Sequence, residues 1–205
     1  MNQLILVRHA QTASNALMSY MGWIDEGLNT KGKEQAKTIA IRLGNQQITA
    51  LYSSPLCRAI ETARPLAEKL GLPIIPCEDL GELRMGEWEG LAKEEIKRNY
   101  PHEWELWRNS PLEVVIPGMD NLNFLQAKVV KVTKQIIAAH PDGTLVFVTH
   151  DAVIRVLLAY IVGSDASIYR CIRIDNASIS KVQVNPTRME ITLVNDTCHL
   201  DPLKS

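Results

Sequence analysis

The chain has 205 residues, of which 46% are hydrophobic and 22% charged, a size and composition typical of one globular domain. Its net charge is −1, and it has no long charged run and no apolar stretch near the roughly 18 residues of a membrane-spanning helix, which argues against nucleic-acid and membrane partners. The four cysteines are far apart and form no C-x-x-C pair, which favours free thiols in a reducing, cytoplasmic compartment over a disulfide framework or a zinc site.

The first part of the chain alternates short apolar runs with amphipathic stretches. A run of four apolar residues is too short for a helix and predicts a buried strand, whereas apolar residues at steps of three and four predict a helix. Ser54 and Pro55 are residue types that suit an N-cap and a first helical position, so we expect the second helix to begin there. The predicted strands are residues 4–7, 48–54 and 72–76, and the predicted helices are residues 30–44 and 54–71.

The second part of the chain begins with a stretch of different composition. Residues 77–118 are rich in Glu, Trp, Pro and Gly, contain only short helical pieces, and predict an insertion that caps one end of the sheet. Beyond it the predicted helices are residues 122–139 and 152–163, and the predicted strands are residues 144–149, 178–184 and 189–194. Strands that alternate with helices predict a single α/β domain over residues 1–205, a three-layer sandwich with a mainly parallel sheet flanked by helices.

Two of the predicted strands are followed by a histidine at the same offset. His9 and His150 each stand two places past the last apolar residue of a strand, and Arg8 precedes the first of them. Ligands of open parallel sheets bind beyond the carboxyl ends of the strands, so neighbouring strands would bring both imidazoles to one pocket. A lone histidine at a strand end is more often an ordinary polar residue. The matched pair beside an arginine favours a shared site.

Arg58 is a third polar signal, because it lies in the first turn of a predicted helix. A cation there opposes the helix dipole at a cost of roughly 0.3–1 kcal/mol, which an anion bound at the same helix end would offset. The alternative is an arginine that simply extends to solvent. Two arginines and two histidines around one pocket indicate a phosphate site, since the guanidinium group matches phosphate oxygens in a bidentate way.

Phosphoryl transfer in such a pocket requires a nucleophile and an acid. A neutral histidine can attack phosphorus, and nearby arginine charge favours the neutral ring. A carboxylic acid must then protonate the leaving oxygen, and Glu82 is the candidate, with Glu87 and Glu89 as competitors in the same segment.

The motifs of other enzyme classes do not occur in the sequence. It contains no P-loop, no G-x-G-x-x-G after the first strand and no G-x-S-x-G elbow. It also lacks a cysteine followed by five residues and an arginine, and any D-x-D pair. These absences leave the histidine pair as the main catalytic signal.

Four segments in order, LILVRHAQTASN, YSSPLCRAIETA, GELRMGEWEG and LVFVTHDAVIRVLL, resemble the histidine phosphatase superfamily, the phosphoglycerate mutase-like proteins. The resemblance implies that fold, a phosphate-accepting His9, and a phosphate pocket of Arg8, Arg58 and His150. It also implies Glu82 as the proton donor and a phosphohistidine that water attacks, with no cofactor and no metal ion. The further substrate-side residues that we expect are Asn15, Gln11, Thr12, Gly22, Trp23 and Asp151.

The chain departs from the family pattern at several of these positions. Gly-Glu-Thr usually follows the first histidine, whereas here Ala10, Gln11 and Thr12 do. The glutamine removes a negative charge, which we expect near the pocket entrance, where it would alter substrate preference. Asp151 stands where glycine is common, and Asp120 replaces a usual glutamate. None of these changes removes a group that the chemistry requires.

The resemblance and the modest length favour a phosphatase over a mutase. The segments DNASISKVQV and LVNDTCHL are most similar to metal-independent phosphoserine phosphatases, so phosphoserine is the expected substrate. Open alternatives are an α-ribazole phosphate phosphatase, a broad-specificity phosphatase, a phosphoglycerate mutase, or a noncatalytic phospho-ligand binding module. The expected partner is a small-molecule phosphate ester, and a homodimer formed through edge strands stays open. His199 would either line the entrance or lie exposed in the tail.

Overall fold

The computed structural model describes residues 2–203, without the side chains of Asn2 and Pro202. Its six strands form one sheet in the order β3–β2–β4–β1–β5–β6. Strands β1 to β4 are parallel to one another, β5 is antiparallel to β1, and β6 is antiparallel to β5. The strands are β1 (Asn2–Arg8), β2 (Ile48–Ser53), β3 (Ile74–Pro76), β4 (Thr144–Thr149), β5 (Ile179–Val184) and β6 (Met189–Asp196).

The four longest helices cover the sheet on both faces, and the described residues form seven helices in all. They are α1 (Ala13–Ala16), α2 (Thr30–Leu43), α3 (Cys57–Leu70), α4 (Lys93–Asn99), α5 (Pro101–Asn109), α6 (Leu122–Ala139) and α7 (Asp151–Ile161). Short 3₁₀ turns lie at Glu78–Leu80, Gly86–Trp88, Ala166–Cys171 and Cys198–Leu203. The predicted α/β architecture with a mostly parallel sheet between two helical layers is confirmed.

The central strands are apolar without interruption because both of their faces are buried. In β1, Leu4 and Leu6 belong to the core on one face of the sheet, whereas Ile5 and Val7 belong to the core on the other. Strand β4 alternates in the same way. A strand that faces two helical layers has no solvent side, so it shows no polar alternation. Helices α2 and α3 form one layer, and α6 and α7 lie in the other.

The start of α3 differs from the sequence prediction. The helix begins at Cys57 with Leu56 as its N-cap, so the predicted N-cap at Ser54 is wrong. The Ser54 side chain is fully buried and its Oγ accepts a hydrogen bond from the backbone N–H of Leu56 at 3.3 Å. Its other contact is with His150 at the strand end, a long-range interaction that residue type alone could not indicate.

The segment 77–118 is bound to the sheet by aromatic side chains. Trp88, Trp104 and Trp107 are almost fully buried in the same apolar cluster as Leu6 of the sheet. Burial of a tryptophan removes roughly 150–250 Å² from water, which at about 25 cal/mol per Å² is about 4–6 kcal/mol before entropy is counted. The description of this segment as a cap insertion in a single domain stays a prediction.

Two further features of the described residues concern membrane helices and cysteines. Across the described residues, no helix combines the length and apolarity that crossing a bilayer demands. Within the described residues, Cys57, Cys77, Cys171 and Cys198 are not joined in disulfides.

Candidate active site

The carboxyl ends of β1 and β4 place both histidines side by side. The two strands are adjacent and parallel, with Arg8 in register with Thr149. The backbone N–H of His9 donates to the carbonyl oxygen of Thr149 at 2.8 Å, so the two chain segments stay paired past the ends of the strands. The ring centroids of His9 and His150 are 5.1 Å apart, with the planes tilted by 59°.

A cavity of about 400 Å³ opens above these strand ends. His150 is fully buried beside His9, next to the cavity. The predicted residues that line the cavity are Arg8, His9, Thr12, Asn15, Gly22, Arg58, Glu82 and Asp151. The structure therefore brings together in one place residues that are up to 143 positions apart, from Arg8 to Asp151.

The ring of His9 has one defined tautomer. Its Nδ1 lies 2.8 Å from the carbonyl oxygen of Ala10, and because a carbonyl can only accept, Nδ1 carries the proton. Burial, and then the charges of Arg58 and Arg8, hold the pKa of His9 well below its usual value. The neutral ring thus keeps a lone pair on Nε2, the atom that a phosphorus nucleophile requires.

Hydrogen bonds also fix the backbone around His9. The Ala10 N–H donates to Thr62 Oγ1 at 2.9 Å, and that hydroxyl donates to the Arg58 carbonyl oxygen at 2.7 Å. On the other side, the carbonyl oxygen of His9 accepts from Asn176 Nδ2 at 3.1 Å and from the Ala177 N–H at 3.2 Å. The nucleophile is therefore anchored to α3 and to the segment before β5.

Arg58 reaches into the cavity and not into solvent, since the residue is only 2% exposed. Its Nη2 donates to the Gly22 carbonyl oxygen at 2.7 Å and its Nη1 to the Ile24 carbonyl oxygen at 3.0 Å. Three of its five N–H donors remain for a ligand. Burial lowers the pKa of Arg58, with the charge of Glu82 acting in the opposite direction.

Gly22 contributes its backbone to this contact. Its φ is +49°, and a Cβ at this position would lie 2.1 Å from Glu89 Oε1. That carboxylate oxygen accepts from the backbone N–H groups of Trp23 and Met85 at 3.1 and 3.0 Å. Glu89, one of the competing acids, is therefore an acceptor for the main chain outside the cavity wall.

Arg8 is held from the opposite side. Its Nη1 donates to the Ile174 carbonyl oxygen at 2.7 Å, and its buried Nε has no hydrogen-bond partner among the described residues. An unpaired buried donor at the cavity wall is available for a phosphate oxygen. The two guanidinium groups therefore present free donors to the same space.

Glu82 is the one of the three candidate acids that lines the cavity. Its Oε1 accepts from the Leu83 N–H at 2.8 Å, and its Oε2 lies 3.9 Å from His150 Nδ1. Burial, and then the charge of Asp151, raise the pKa of Glu82 to about 7. Near neutral pH the carboxyl group exists in both protonation states, which suits an acid that later acts as a base.

His150 is a neutral ring close to this carboxyl group. Its Nε2 lies 2.7 Å from Ser54 Oγ, while its buried Nδ1 has no hydrogen-bond partner among residues 2–203. Burial, and then the charges of Arg58, His9 and Arg8, keep the pKa of His150 well below its usual value. Ser54 is a site residue that the sequence analysis did not identify.

Asn15 and Thr12 form a capping box at the start of α1. The Asn15 N–H donates to Thr12 Oγ1 at 3.2 Å, and the Thr12 N–H donates to Asn15 Oδ1 at 3.1 Å. Asn176 Nδ2 donates to the same Oδ1 at 2.9 Å. Oδ1 of Asn15 is thereby occupied, which leaves its amide NH₂ as the group that can donate to a ligand in the cavity that Asn15 lines. Asn176 was missed, although it lies in the quoted DNASISKVQV segment.

Three residues expected near the entrance do not line the cavity. Gln11 Oε1 accepts from Asn29 Nδ2 at 3.1 Å, so the structure places this side chain against α2 and not at the entrance. Trp23 Nε1 donates to the Glu82 carbonyl oxygen at 2.6 Å, so Trp23 contacts the main chain of the candidate acid and not the cavity. His199 is half-buried and neither exposed nor at the entrance, because its Nε2 lies 3.0 Å from the Ala177 carbonyl oxygen.

Apart from Asp151, the sequence analysis did not identify the residues of the outer half of the cavity. Asp151 Oδ1 pairs with Arg155 Nε at 2.7 Å, one helical turn along α7. Three cationic side chains and one carboxylate lie in this half of the cavity wall, so its formal charge is positive. The residues there include Tyr20, Lys93, Trp107, Asp151, Arg155, Tyr169 and Arg170. Tyr20 lies in the loop after α1 and the others come from α4, α5, α7 and the 3₁₀ turn Ala166–Cys171, which only the tertiary fold brings together.

No group of three His, Cys, Asp or Glu side chains arranged to hold a metal ion occurs between residues 2 and 203. The polar groups at the cavity floor are instead N–H donors and one carboxyl group. Such donors suit an anionic ligand with several oxygen atoms, such as a phosphate group.

Comparisons with known proteins agree with this geometry. A family model described as the histidine phosphatase superfamily (branch 1) matches residues 4–197. Phosphoserine phosphatase 1 of Hydrogenobacter thermophilus is 34% identical over 200 residues, which cover 98% of this chain and 95% of that protein. The metal-independent phosphoserine phosphatase of Arabidopsis thaliana is 30% identical over 201 residues, 97% of this chain and 83% of that protein.

A solved structure, Bacillus stearothermophilus YhfR, has the same architecture. It superposes with a TM-score of 0.93 and 25% identity, and the match covers 98% of this chain and 100% of that one.

Proposed function

Because this chain belongs to the histidine phosphatase superfamily and is a phosphatase, we propose that it hydrolyses small phosphate monoesters through a phosphohistidine on His9 without a metal ion. The observation that carries the proposal is the locked ring of His9. Its Nδ1 donates to a carbonyl oxygen, so the neutral ring presents Nε2 to a cavity that holds free guanidinium donors.

In the first step, Nε2 of His9 attacks phosphorus and the bond from phosphorus to the ester oxygen breaks. Protonated Glu82 donates its proton to that leaving oxygen and becomes a carboxylate. Arg8, Arg58 and the amide NH₂ of Asn15 donate hydrogen bonds to the phosphoryl oxygens. His150 lies beside them and stabilises the charge that grows on these oxygens.

In the second step, water attacks the phosphorus of the phosphohistidine. The carboxylate of Glu82 accepts a proton from this water, the bond from Nε2 to phosphorus breaks, and phosphate leaves. The carboxyl group ends in the protonated state in which it began. The pKa of Glu82 near 7 supports both roles, since neither state is costly at neutral pH.

Phosphoserine is the substrate that we propose. Two relatives that align with more than 95% of this chain are named phosphoserine phosphatases. The outer half of the cavity supports a ligand with charged groups beyond the phosphate, since Arg155 and Arg170 could face a carboxylate and Asp151 an ammonium group. An α-ribazole phosphate, a broad substrate range and mutase activity stay as alternatives.

Hydrolysis of p-nitrophenyl phosphate in EDTA tests the reaction. We expect phosphate release that EDTA does not diminish and an acid-labile phosphoryl group on His9 after rapid quenching. No release at any pH would favour a noncatalytic binding module. Loss of release in EDTA that a divalent ion restores would contradict the metal-independent route.

A panel of phosphomonoesters tests the substrate. We expect the highest kcat/KM for phosphoserine when it is compared with phosphoethanolamine, 3-phosphoglycerate and α-ribazole phosphate. Similar values for all four would indicate a broad-specificity phosphatase. Formation of 2-phosphoglycerate from 3-phosphoglycerate would indicate a mutase.

The cytoplasmic location and the homodimer stay predictions. Strands β3 and β6 are the edges of the sheet through which two copies would pair. Light scattering of the purified chain measures its mass in solution and so tests whether it forms a dimer.

A further inference from the structure

One short segment contacts two of the proposed catalytic residues, Arg8 and His9, through hydrogen bonds. Residues 174–178, here called the clamp loop, lie just before β5. The Ile174 carbonyl oxygen accepts from Arg8 Nη1 at 2.7 Å, and the Ser178 carbonyl oxygen accepts from the Arg8 N–H at 3.2 Å. Asn176 Nδ2 and the Ala177 N–H both donate to the carbonyl oxygen of His9. The position of the clamp loop thus bears directly on Arg8 and His9.

Ala177 gives the clamp loop its shape at a conformational cost. Its φ is +59°, in the left-handed region that side chains other than glycine rarely adopt, and the residue is fully buried. Such a conformation persists only where the surroundings hold it. The Ala177 N–H is held by His9, and its carbonyl oxygen lies 3.0 Å from Nε2 of His199.

The ring of His199 has no other polar contact among the described residues. Because the Ala177 carbonyl can only accept, Nε2 carries the proton, and the buried Nδ1 has no partner there. Burial lowers the pKa of His199, so the ring stays neutral. A buried nitrogen without a partner is unfavourable, and an apolar side chain would avoid that cost. A histidine at this position can donate a hydrogen bond to the Ala177 carbonyl oxygen, which an apolar residue cannot do.

The segment that carries His199 is packed firmly against α2. The 3₁₀ turn Cys198–Leu203 contacts that helix, and Leu200 is only 7% exposed in the same apolar core as Leu43. The N–H donor of His199 is therefore carried by a segment that is packed against the core. This segment is more than 20 residues along the chain from the loop that the donor contacts.

We propose that His199 is a positioning residue that holds the clamp loop in its left-handed shape, and through it aligns His9 and Arg8 for phosphoryl transfer. The proposal rests on the proposed function for its kinetic readout. Without the donor, Ala177 can relax, and the main-chain contacts to His9 and Arg8 lengthen. Small displacements of a nucleophile lower the rate of the chemical step more than they weaken ground-state binding.

Three variants of the full chain test the proposal. His199→Phe removes the donor but keeps an aromatic ring, and His199→Leu serves if the larger ring is not accommodated. His199→Gln keeps an amide nitrogen near the place of Nε2. The matched control is Leu200→Ala, which weakens the packing of the same segment and leaves the donor intact. All are assayed with p-nitrophenyl phosphate well below the lowest Tm of the set.

We expect kcat to fall about tenfold in His199→Phe with KM within about twofold, because misalignment acts on the transition state. His199→Gln should recover most of kcat, and Leu200→Ala should lower Tm while its kcat stays near that of the unaltered chain. An unchanged kcat in both His199→Phe and His199→Leu would overturn the proposal. So would a kcat in all variants, Leu200→Ala included, that simply follows Tm.

Amide hydrogen exchange gives a readout that does not depend on turnover. The Ala177 and Arg8 amides should exchange faster in His199→Phe than in Leu200→Ala or His199→Gln. Equal exchange in all variants would overturn the proposal even if the protein hydrolyses phosphate esters. An inactive but otherwise normal chain would count against the proposed function, and the exchange data would still decide the role of His199.

Discussion

The floor and the outer half of the cavity hold their charged side chains in different ways. At the floor, His9, Arg8 and Arg58 each donate to a main-chain carbonyl oxygen at 2.7–3.0 Å. In the outer half, Arg155 pairs with Asp151 at 2.7 Å, whereas the Lys93 and Arg170 cations lie 5.9 and 6.0 Å from the tryptophan rings of the segment 77–118. Neither of these two makes an ion pair with a carboxylate among the described residues.

This difference separates reaction chemistry from substrate choice. Side chains held by the main chain cannot move without moving a strand end, so the floor is preorganised for one reacting group. Lys93 and Arg170 lie over aromatic rings without an ion pair and can rotate at lower cost, so their part of the outer half can adapt to different ester groups. Substitutions at the floor should therefore lower turnover of every substrate, whereas substitutions farther out should change preference.

The largest effect is expected from His9→Ala. We expect kcat to fall by more than about 10⁴-fold for every ester, because no other group can accept the phosphoryl group. His102→Ala, an exposed histidine on α5, is the matched control and should be unaffected. A kcat of the His9 variant within tenfold of that of the unaltered chain would refute the assignment of His9 as the nucleophile.

The next effect is expected from Glu82→Gln, which keeps the shape but removes the acid. For alkyl phosphates kcat should fall by roughly 10²–10⁴, the usual contribution of a general acid. For p-nitrophenyl phosphate the loss in the first step should be much smaller, because its leaving group needs no proton. Glu87→Gln, at an exposed position, should change neither rate. Equal losses for both esters, measured in the pre-steady state, would argue against proton donation by Glu82.

A smaller effect is expected from Asp151→Asn on the pH dependence. The negative charge of Asp151 raises the pKa of Glu82, so its removal lowers that pKa from about 7. Since the first step needs protonated Glu82, the alkaline fall in kcat should move to lower pH by up to about one unit. Glu105→Gln on α5 should leave the profile in place. A shift toward higher pH would contradict the electrostatic role of Asp151.

The smallest effect is expected from Gln11→Glu, which restores the residue usual in the family. The Gln11 side chain lies against Asn29 outside the cavity, so kcat/KM for phosphoserine should change by less than about threefold. The same measurement with phosphoethanolamine serves as control. A large change in the ratio of the two would show that position 11 acts on the substrate after all.

Much of the fold was predictable, because local patterns and topology agree in this chain. The uninterrupted apolar runs at β1 and β4 indicate strands buried on both faces, and Gly44 and Gly71 mark the ends of α2 and α3. The start of α3 was misplaced because Ser54 has the residue type of an N-cap but uses its hydroxyl on His150. Local propensity cannot register a partner 96 residues away.

The sequence by itself determined the floor of the site. His9 and His150 follow strands whose carboxyl ends lie at the same edge of a parallel sheet, and the adjacency of β1 and β4 in the structure brings the two rings together. Only the tertiary structure decided the rest, namely Ser54, Asn176, the outer half of the cavity and the contact of His199 with Ala177. Those residues lie on helices, turns and a tail whose relative positions depend on how apolar faces pack. Hydrophobic periodicity indicates which face of an element is buried, but not which distant element covers it.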